Sequence, residues 1–264
     1  MKQYIVDAFT DELFSGNQAA ICVLDKWISE DLMKNIAKEN NFSETAFVVK
    51  EDFITYRLRW FTPTSEIDFC GHATLGAAYV LFRFYEKDRD CIRFKTQRGK
   101  FRVENYKDFF TMDFKVYRRI PRKVTKEMEE SIGAKVLEAY IDRDLMLVLK
   151  NEESVEKLKP DFEKIKKLEG TLLIVTAQAN NKNYDCVSRV FAPKIGIDED
   201  PVTGSAHCMI GPYWCRKLKK RDLMCYQASQ RQGIMHILYT KQRVKISGKV
   251  CHYSISEILN DLNI

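Results

Sequence analysis

Glycine and proline are scarce in this chain, at 11 and 6 of 264 residues. That excludes a fibrous repeat or a low-complexity polymer and leaves little material for long linkers. Histidine is scarcer still, at four. No CxxC or HxxxH pair, no phosphate-cradling glycine loop and no dinucleotide fingerprint occurs, so the spacing specifies no metal and no cofactor.

Long apolar runs are also missing. The uncharged stretch Phe69 to Phe82 suits a buried helix and is too short to cross a bilayer. The first residues, MKQYIVDAFTDEL, alternate like a strand and carry acids where a secretion leader needs an apolar core. Neither a membrane partner nor export is expected, and the location expected is cytoplasmic. The eight cysteines follow no regular spacing, which reads as reduced thiols rather than a disulfide framework.

What remains is an ordinary globular composition, 45% hydrophobic and 30% charged, long enough for one large domain or two modest ones. The net charge of +6 is compatible with an anionic substrate. The basic run RKLKKR, Arg216 to Arg221, follows an apolar helix without interleaved aromatics. It reads as a solvated helix end, and no nucleic-acid partner is expected.

The most informative feature is an internal repeat. RWFTPTSEID (Arg59 to Asp68) and RVFAPKIGID (Arg189 to Asp198) share Arg, Phe, Pro, Ile and Asp at equal offsets, and each precedes a glycine-led segment of small residues. In both, an apolar strand breaks at proline and a loop leads into a helix start. Two related lobes follow from this, each with one helix apolar on nearly every side and wrapped by its own sheet. Helix N-termini facing one cleft would offer free N–H groups and positive dipole ends to a carboxylate or an enolate.

Elsewhere the pattern is of short, numerous strands, among them Gln3 to Phe9, Ala19 to Leu24, Thr45 to Val49 and Leu172 to Thr176, which indicates an α+β fold. Helices are expected at Glu30 to Asn40, with Leu32, Met33, Ile36 and Ala37 on one face, at Lys126 to Ala134 and at Ser154 to Leu168.

The blocks VDAFTDELFSGNQAAICVL, NFSETAFV, RWFTPTSEIDFCGHATLG and DEDPVTGSAH, in this order, resemble those of the PhzF family. These are the phenazine-biosynthesis-like isomerases that share the diaminopimelate epimerase fold. The resemblance implies two pseudo-symmetric lobes, each a mixed β-barrel-like sheet around a central helix, with an active site in the cleft between them. The lobes are placed at residues 1–112, with 255–264 as an optional completion, and at 113–254. It also implies a cofactor-independent, metal-free isomerase that moves a proton and a double bond on a small anionic substrate by general acid/base catalysis, and a homodimer.

Carried onto this sequence, the resemblance makes Glu44, His72 and Asp200 catalytic, with Gly71, Ala73, Gly204 and Ser205 in contact with substrate. Asn17 and Arg231, in SGNQ and YQASQRQG, suit a polar anion and join the expected substrate contacts. Taken alone, each residue has a structural alternative. Glu44 reads as a solvated strand-end acid, His72 as a satisfied core histidine, Asp200 as an N-terminal cap and Ser205 as part of a helix start. Burial of Glu44 would raise its pKa toward the range useful for proton transfer.

Two other functional classes stay open: an amino-acid racemase or epimerase using Cys70 with Asp200, and a non-catalytic carboxylate-binding protein. A Cys70/His72 nucleophilic dyad is expected to fail, since positions two apart on a helix point about 200° apart around its axis.

Overall fold

A computed structural model describes residues 1–259 and divides the chain into two compact units, Met1–Asp113 with the chain from Ser247, and Phe114–Ile246. The part of the 255–264 tail beyond residue 259 lies outside the described residues.

The first unit opens with β1 (Lys2–Ala8), β2 (Asn17–Leu24), α1 (Glu30–Asn40), β3 (Glu44–Lys50), β4 (Thr55–Phe61) and the short β5 (Glu66–Ile67). Next come α2 (Gly71–Val80), a π-helical turn over Leu81–Tyr85, and β6 (Cys91–Thr96), β7 (Gly99–Tyr106) and β8 (Phe109–Lys115). The sheet is mixed: β1 runs antiparallel to β2, β2 parallel to β3, β3 antiparallel to β4, and β4 parallel to β6.

Helix α1 forms where the pattern placed it. Ser29 caps it by accepting from the Leu32 N–H, and Asn41 ends it in the left-handed conformation. Its buried face, Met33, Ile36 and Ala37, packs with Phe47 and Phe61, while Leu32 lies at the half-buried margin. Each large side chain removed from water there is worth about 1.5–3 kcal/mol.

Helix α2 is buried from His72 to Ala78 and packs on β1, β2 and β3. Gly76 permits the approach: a Cβ at that position would lie 2.7 Å from Val6 Cγ2.

The second unit contains β9 (Ile120–Arg122), α3 (Lys126–Ile132), β10 (Glu138–Ile141), β11 (Leu145–Val148), α4 (Glu152–Glu156), α5 (Phe162–Lys167), β12 (Leu173–Gln178), β13 (Cys186–Ala192) and β14 (Ile197–Glu199). A 3₁₀ turn over Gly204–Ala206 leads into α6 (His207–Lys217), followed by β15 (Asp222–Gln227), β16 (Gly233–Tyr239) and β17 (Arg243–Gly248). The last strand, β18 (Val250–Glu257), pairs antiparallel with β1.

The strand β11 runs parallel to β12, β12 antiparallel to β13, β13 antiparallel to β14 and parallel to β15. Those relations repeat the order found among β2, β3, β4, β5 and β6. The repeated arginines behave alike as well. Arg59 forms a two-pronged ion pair with Glu66, both contacts at 2.7 Å, and Arg189 does the same with Glu199 at 2.8 Å.

One helix expected from the sequence is corrected. Ser154 to Leu168 is not continuous: α4 and α5 are separated at Pro160, and Asp161 starts the second by accepting from the Lys164 N–H. Proline disfavours helical backbone in the residue before it, so the break follows from the side chain already visible in the sequence.

The eight cysteines are free thiols. Among the described residues no helix is long and apolar enough to cross a membrane.

Candidate active site

Glu44 is the first residue of β3, directly after the turn that ends α1, and pairs in register with Ala19 of β2. That position buries it to 8% exposure. The solvated strand-end reading is therefore wrong: the strand starts inside the unit, not at its surface.

Across from it stands the start of α2. Cys70 is the N-cap residue, in extended backbone with φ −139° and ψ 117°, and it makes no side-chain cap bond. Because Cys70 is not on the helix, the rotation argument against a Cys70/His72 contact does not apply. Its Sγ lies 3.5 Å from His72 Nδ1 and 3.8 Å from Nε2. On its other side His72 places Nε2 2.9 Å from Glu44 Oε2. His72 is thus no core histidine satisfied by backbone.

The contact with Glu44 is short but poorly aimed. Oε2 lies within ion-pair distance of the ring and still has no aligned hydrogen-bond donor among the described residues. A buried carboxylate oxygen without an aligned donor is costly to keep, and it has room to accept a proton.

Burial pulls the His72 pKa down, but the neighbouring Cys70 and Glu44 outweigh it and hold the imidazole well above its ordinary value. Burial, reinforced by the Glu44 charge, pushes the Cys70 thiol up to about 11. At neutral pH the thiol is therefore neutral. The site sets the Glu44 carboxyl beside a histidine held above its ordinary range, with a neutral thiol at the third corner.

Gly71 begins α2 at intermediate exposure, and a Cβ there would meet nothing closer than 3.9 Å. Packing does not demand glycine at this position, since the Phe69 ring and the Met112 methyl would stand at ordinary contact distance. Ala73 is fully buried, and its backbone N–H points at the Cys70 sulfur. Asn17, the first residue of β2, is also fully buried.

In the second unit Asp200 does not cap a helix, since neither the 3₁₀ turn nor α6 has a side-chain cap. Its Oδ2 accepts the Thr203 hydroxyl at 2.6 Å. The fully buried Gln227 accepts the Thr203 N–H at 2.9 Å and donates to the Asp200 carbonyl at 2.8 Å. Gly204, buried, opens the 3₁₀ turn. Ser205 Oγ accepts from Arg143 Nη2 at 2.9 Å. Arg143 is itself paired with Asp144, whose side chain is wholly inaccessible to solvent. Arg231 lies in the connection between β15 and β16.

Sequence reasoning missed Arg143, Asp144 and Gln227. Arg143 and Gln227 act on residues tens of positions away and Asp144 acts through Arg143, and no local pattern marks them. Thr203 stood inside the DEDPVTGSAH block and was the one legible partner.

The spacing in the sequence shows no metal cluster, yet folding brings ligating atoms of Glu44, Cys70 and His72 within 4.8 Å of one another. The donor set would suit a thiophilic divalent ion. Two features oppose that fit: the thiol has to lose a proton from a site that favours the neutral form, and the adjacent helix N-terminus repels cations.

The chain matches the family described as "Phenazine biosynthesis-like protein" over residues 6–254. An uncharacterized isomerase of Pseudomonas aeruginosa is 42% identical over 248 residues, covering 94% of this chain and 95% of that protein. A crystal structure of a PhzF-family phenazine biosynthesis protein from Enterococcus faecalis superposes with a TM-score of 0.95 at 45% identity, covering 98% of each chain. A structure from P. aeruginosa described as a predicted epimerase shares the fold, with a TM-score of 0.75 at 18% identity over 98% of this chain and 99% of that one.

Proposed function

This chain belongs to the phenazine biosynthesis-like (PhzC-PhzF) family, and from that premise we propose that it is an isomerase that shifts a proton and a double bond on a small carboxylate-bearing substrate. The observation that carries this reading is the Glu44 Oε2 lone pair, buried beside a charged imidazole and not taken up by an aligned donor.

In the proposed reaction Glu44 removes a proton from a carbon next to a carbonyl or carboxylate. The C–H electron pair moves into a carbon–carbon double bond and the substrate oxygen gains negative charge. His72 and the N–H groups at the start of α2 stabilise that charge. Glu44 then returns the proton to a different carbon, the electrons move back, and the product has the atoms of the substrate with one hydrogen relocated. No external electron donor or acceptor enters the balance.

Asp200 and Ser205 are carried over from the family as further acid/base and binding groups. The Thr203 bond described above is what such a role for Asp200 would require, because it fixes the carboxylate in place, while Gln227 holds the backbone at Asp200 and Thr203. A diaminopimelate epimerase-like arrangement of each unit and a homodimeric assembly belong to the same reading, and light scattering tests the latter.

The decisive experiment is incubation with a panel of cyclic and amino carboxylic acids in D₂O, followed by NMR. Deuterium should appear at the carbon that receives the proton, and Glu44→Gln should abolish the exchange.

A second reading is favoured by the 3.5 Å contact between Cys70 and His72: the neutral thiol donates the returning proton, as in an epimerase. Cys70→Ala separates the two. It leaves the isomerase active and removes the epimerase.

A further inference from the structure

We propose that the groove between residues 116–119 and the last turn of α6 binds a small phosphate-bearing molecule with a flat ring, such as a nucleoside monophosphate. The groove encloses about 500 Å³, the size of a site for one ligand of this class. Its cations include Arg118, Arg119, Arg216 and Lys217, and among the described residues no carboxylate lines it.

Arg119 is the centre of the argument. Its Nη1 is buried and has no hydrogen-bond partner among the described residues. A cationic N–H removed from water without an acceptor is one of the less tolerable groups in a folded protein. Arg216 nearby has a long 3.5 Å contact to the Tyr239 hydroxyl. Lys217 differs: its charge is met by Glu138 at 2.7 Å.

Burial, then the charge of Arg216, pulls Arg119 below its ordinary range. An anion seated against both guanidinium groups would fill the open N–H and reverse that repulsion. Guanidinium forks match the oxygens of a phosphate in geometry as well as charge.

The walls supply the second half of the recognition. Tyr140 and Tyr213 stand with ring centroids 5.6 Å apart, and Tyr117 completes an aromatic border against which a planar ring can pack. The basic run Arg216 to Arg221 extends this surface: Lys219, Lys220 and Arg221, with Lys241, line an adjoining depression that among the described residues also lacks an acid. The run is thus more than a solvated helix end, because it surrounds the groove with positive potential that draws anions toward it.

The test is calorimetric titration of the full-length protein with AMP, adenosine and inorganic phosphate. AMP should bind with a Kd of about 0.1–1 mM or tighter, and adenosine, lacking the phosphate, at least about tenfold more weakly. Arg119→Leu and Arg216→Gln should each weaken AMP at least about tenfold. Arg216 is exposed, so its variant reports on the site even if loss of Arg119 disturbs folding.

The proposal is overturned if AMP binds wild type and both variants alike, if adenosine binds as well as AMP, or if no AMP binding is measured. It is also overturned if single-stranded oligonucleotides bind with a strength that grows with their length, which would make the surface a nucleic-acid track.

Discussion

Replacing Glu44 by glutamine tests the site at its centre. The amide keeps the shape and one acceptor oxygen but cannot take a proton at working pH. If Glu44 is the base, turnover falls by about 10²–10⁴-fold, which corresponds to roughly 2.7–5.4 kcal/mol of barrier. Substrate affinity should change little, because the change removes a proton acceptor rather than volume.

The same substitution has a readout that needs no substrate. In the wild type the Glu44 charge helps hold His72 above its ordinary pKa, so in Glu44→Gln the His72 resonances should titrate at lower pH. The stability profile follows with a definite sign. A group whose folded pKa is raised contributes stability that is complete below its unfolded value of about 6.5 and disappears as pH rises through the folded value. Wild type should therefore lose stability on that upward passage, and Glu44→Gln should lose less. Exchange monitored by NMR, with histidine titration and denaturant melts across pH, covers all three. An unchanged His72 titration together with undiminished turnover would refute both the electrostatics and the assigned base.

Four other outcomes are expected. Cys70→Ala should retain turnover to within about tenfold, and wild-type Cys70 should alkylate slowly near neutral pH, since the thiolate is the reactive form and burial holds this thiol near 11; rapid labelling would contradict the environment described. His207 is fully buried and held down to about 4 by burial, so stability should fall by about 3 kcal/mol as pH drops from 6.5 toward 4, and His207→Gln should flatten that slope in urea melts. Gly76→Ala should cost about 1–3 kcal/mol, because the new methyl would sit 2.7 Å from Val6 Cγ2; an unchanged Tm would show that the helix can slide. Exhaustive chelation should leave turnover intact, and a loss restored by one equivalent of metal would mean that the cluster of Glu44, Cys70 and His72 is a working metal site.

Helix α1 was legible in the sequence from its apolar period alone, and the Ser29 and Asn41 caps found in the structure explain why it starts and stops there. The buried run from Phe69 was legible for a simpler reason, since nothing charged interrupts it. The repeat located both strand ends and both glycine-led segments before the helices, as its proline and glycine positions are local punctuation, although the second segment is a 3₁₀ turn and its helix begins at His207. The catalytic candidates were reached through the motif blocks rather than from local physics. What stayed hidden depends on tertiary placement. The contact of Glu44 with His72 arises from the parallel register of β2 and β3 and the seat of α2. The contact of Cys70 with His72 depends on one extended residue at the helix cap. Arg143 meets Ser205 across 62 positions, a distance over which side-chain periodicity carries no information.

The pairing of β1 with β18 sets a schedule for biosynthesis. The amino terminus of Met1 donates to the Ile258 carbonyl across 257 positions, and the two strands around that bond lie at opposite ends of the described chain. At typical translation rates the partner of β1 emerges from the ribosome roughly ten seconds to a minute after β1 itself. Through that interval one edge of β1 has no strand to close it, while the second unit, whose residues are contiguous, can complete its own contacts. An unpaired edge is a template for foreign strands, so nascent chains stalled before residue 250 should engage holdase chaperones far more than released ones do.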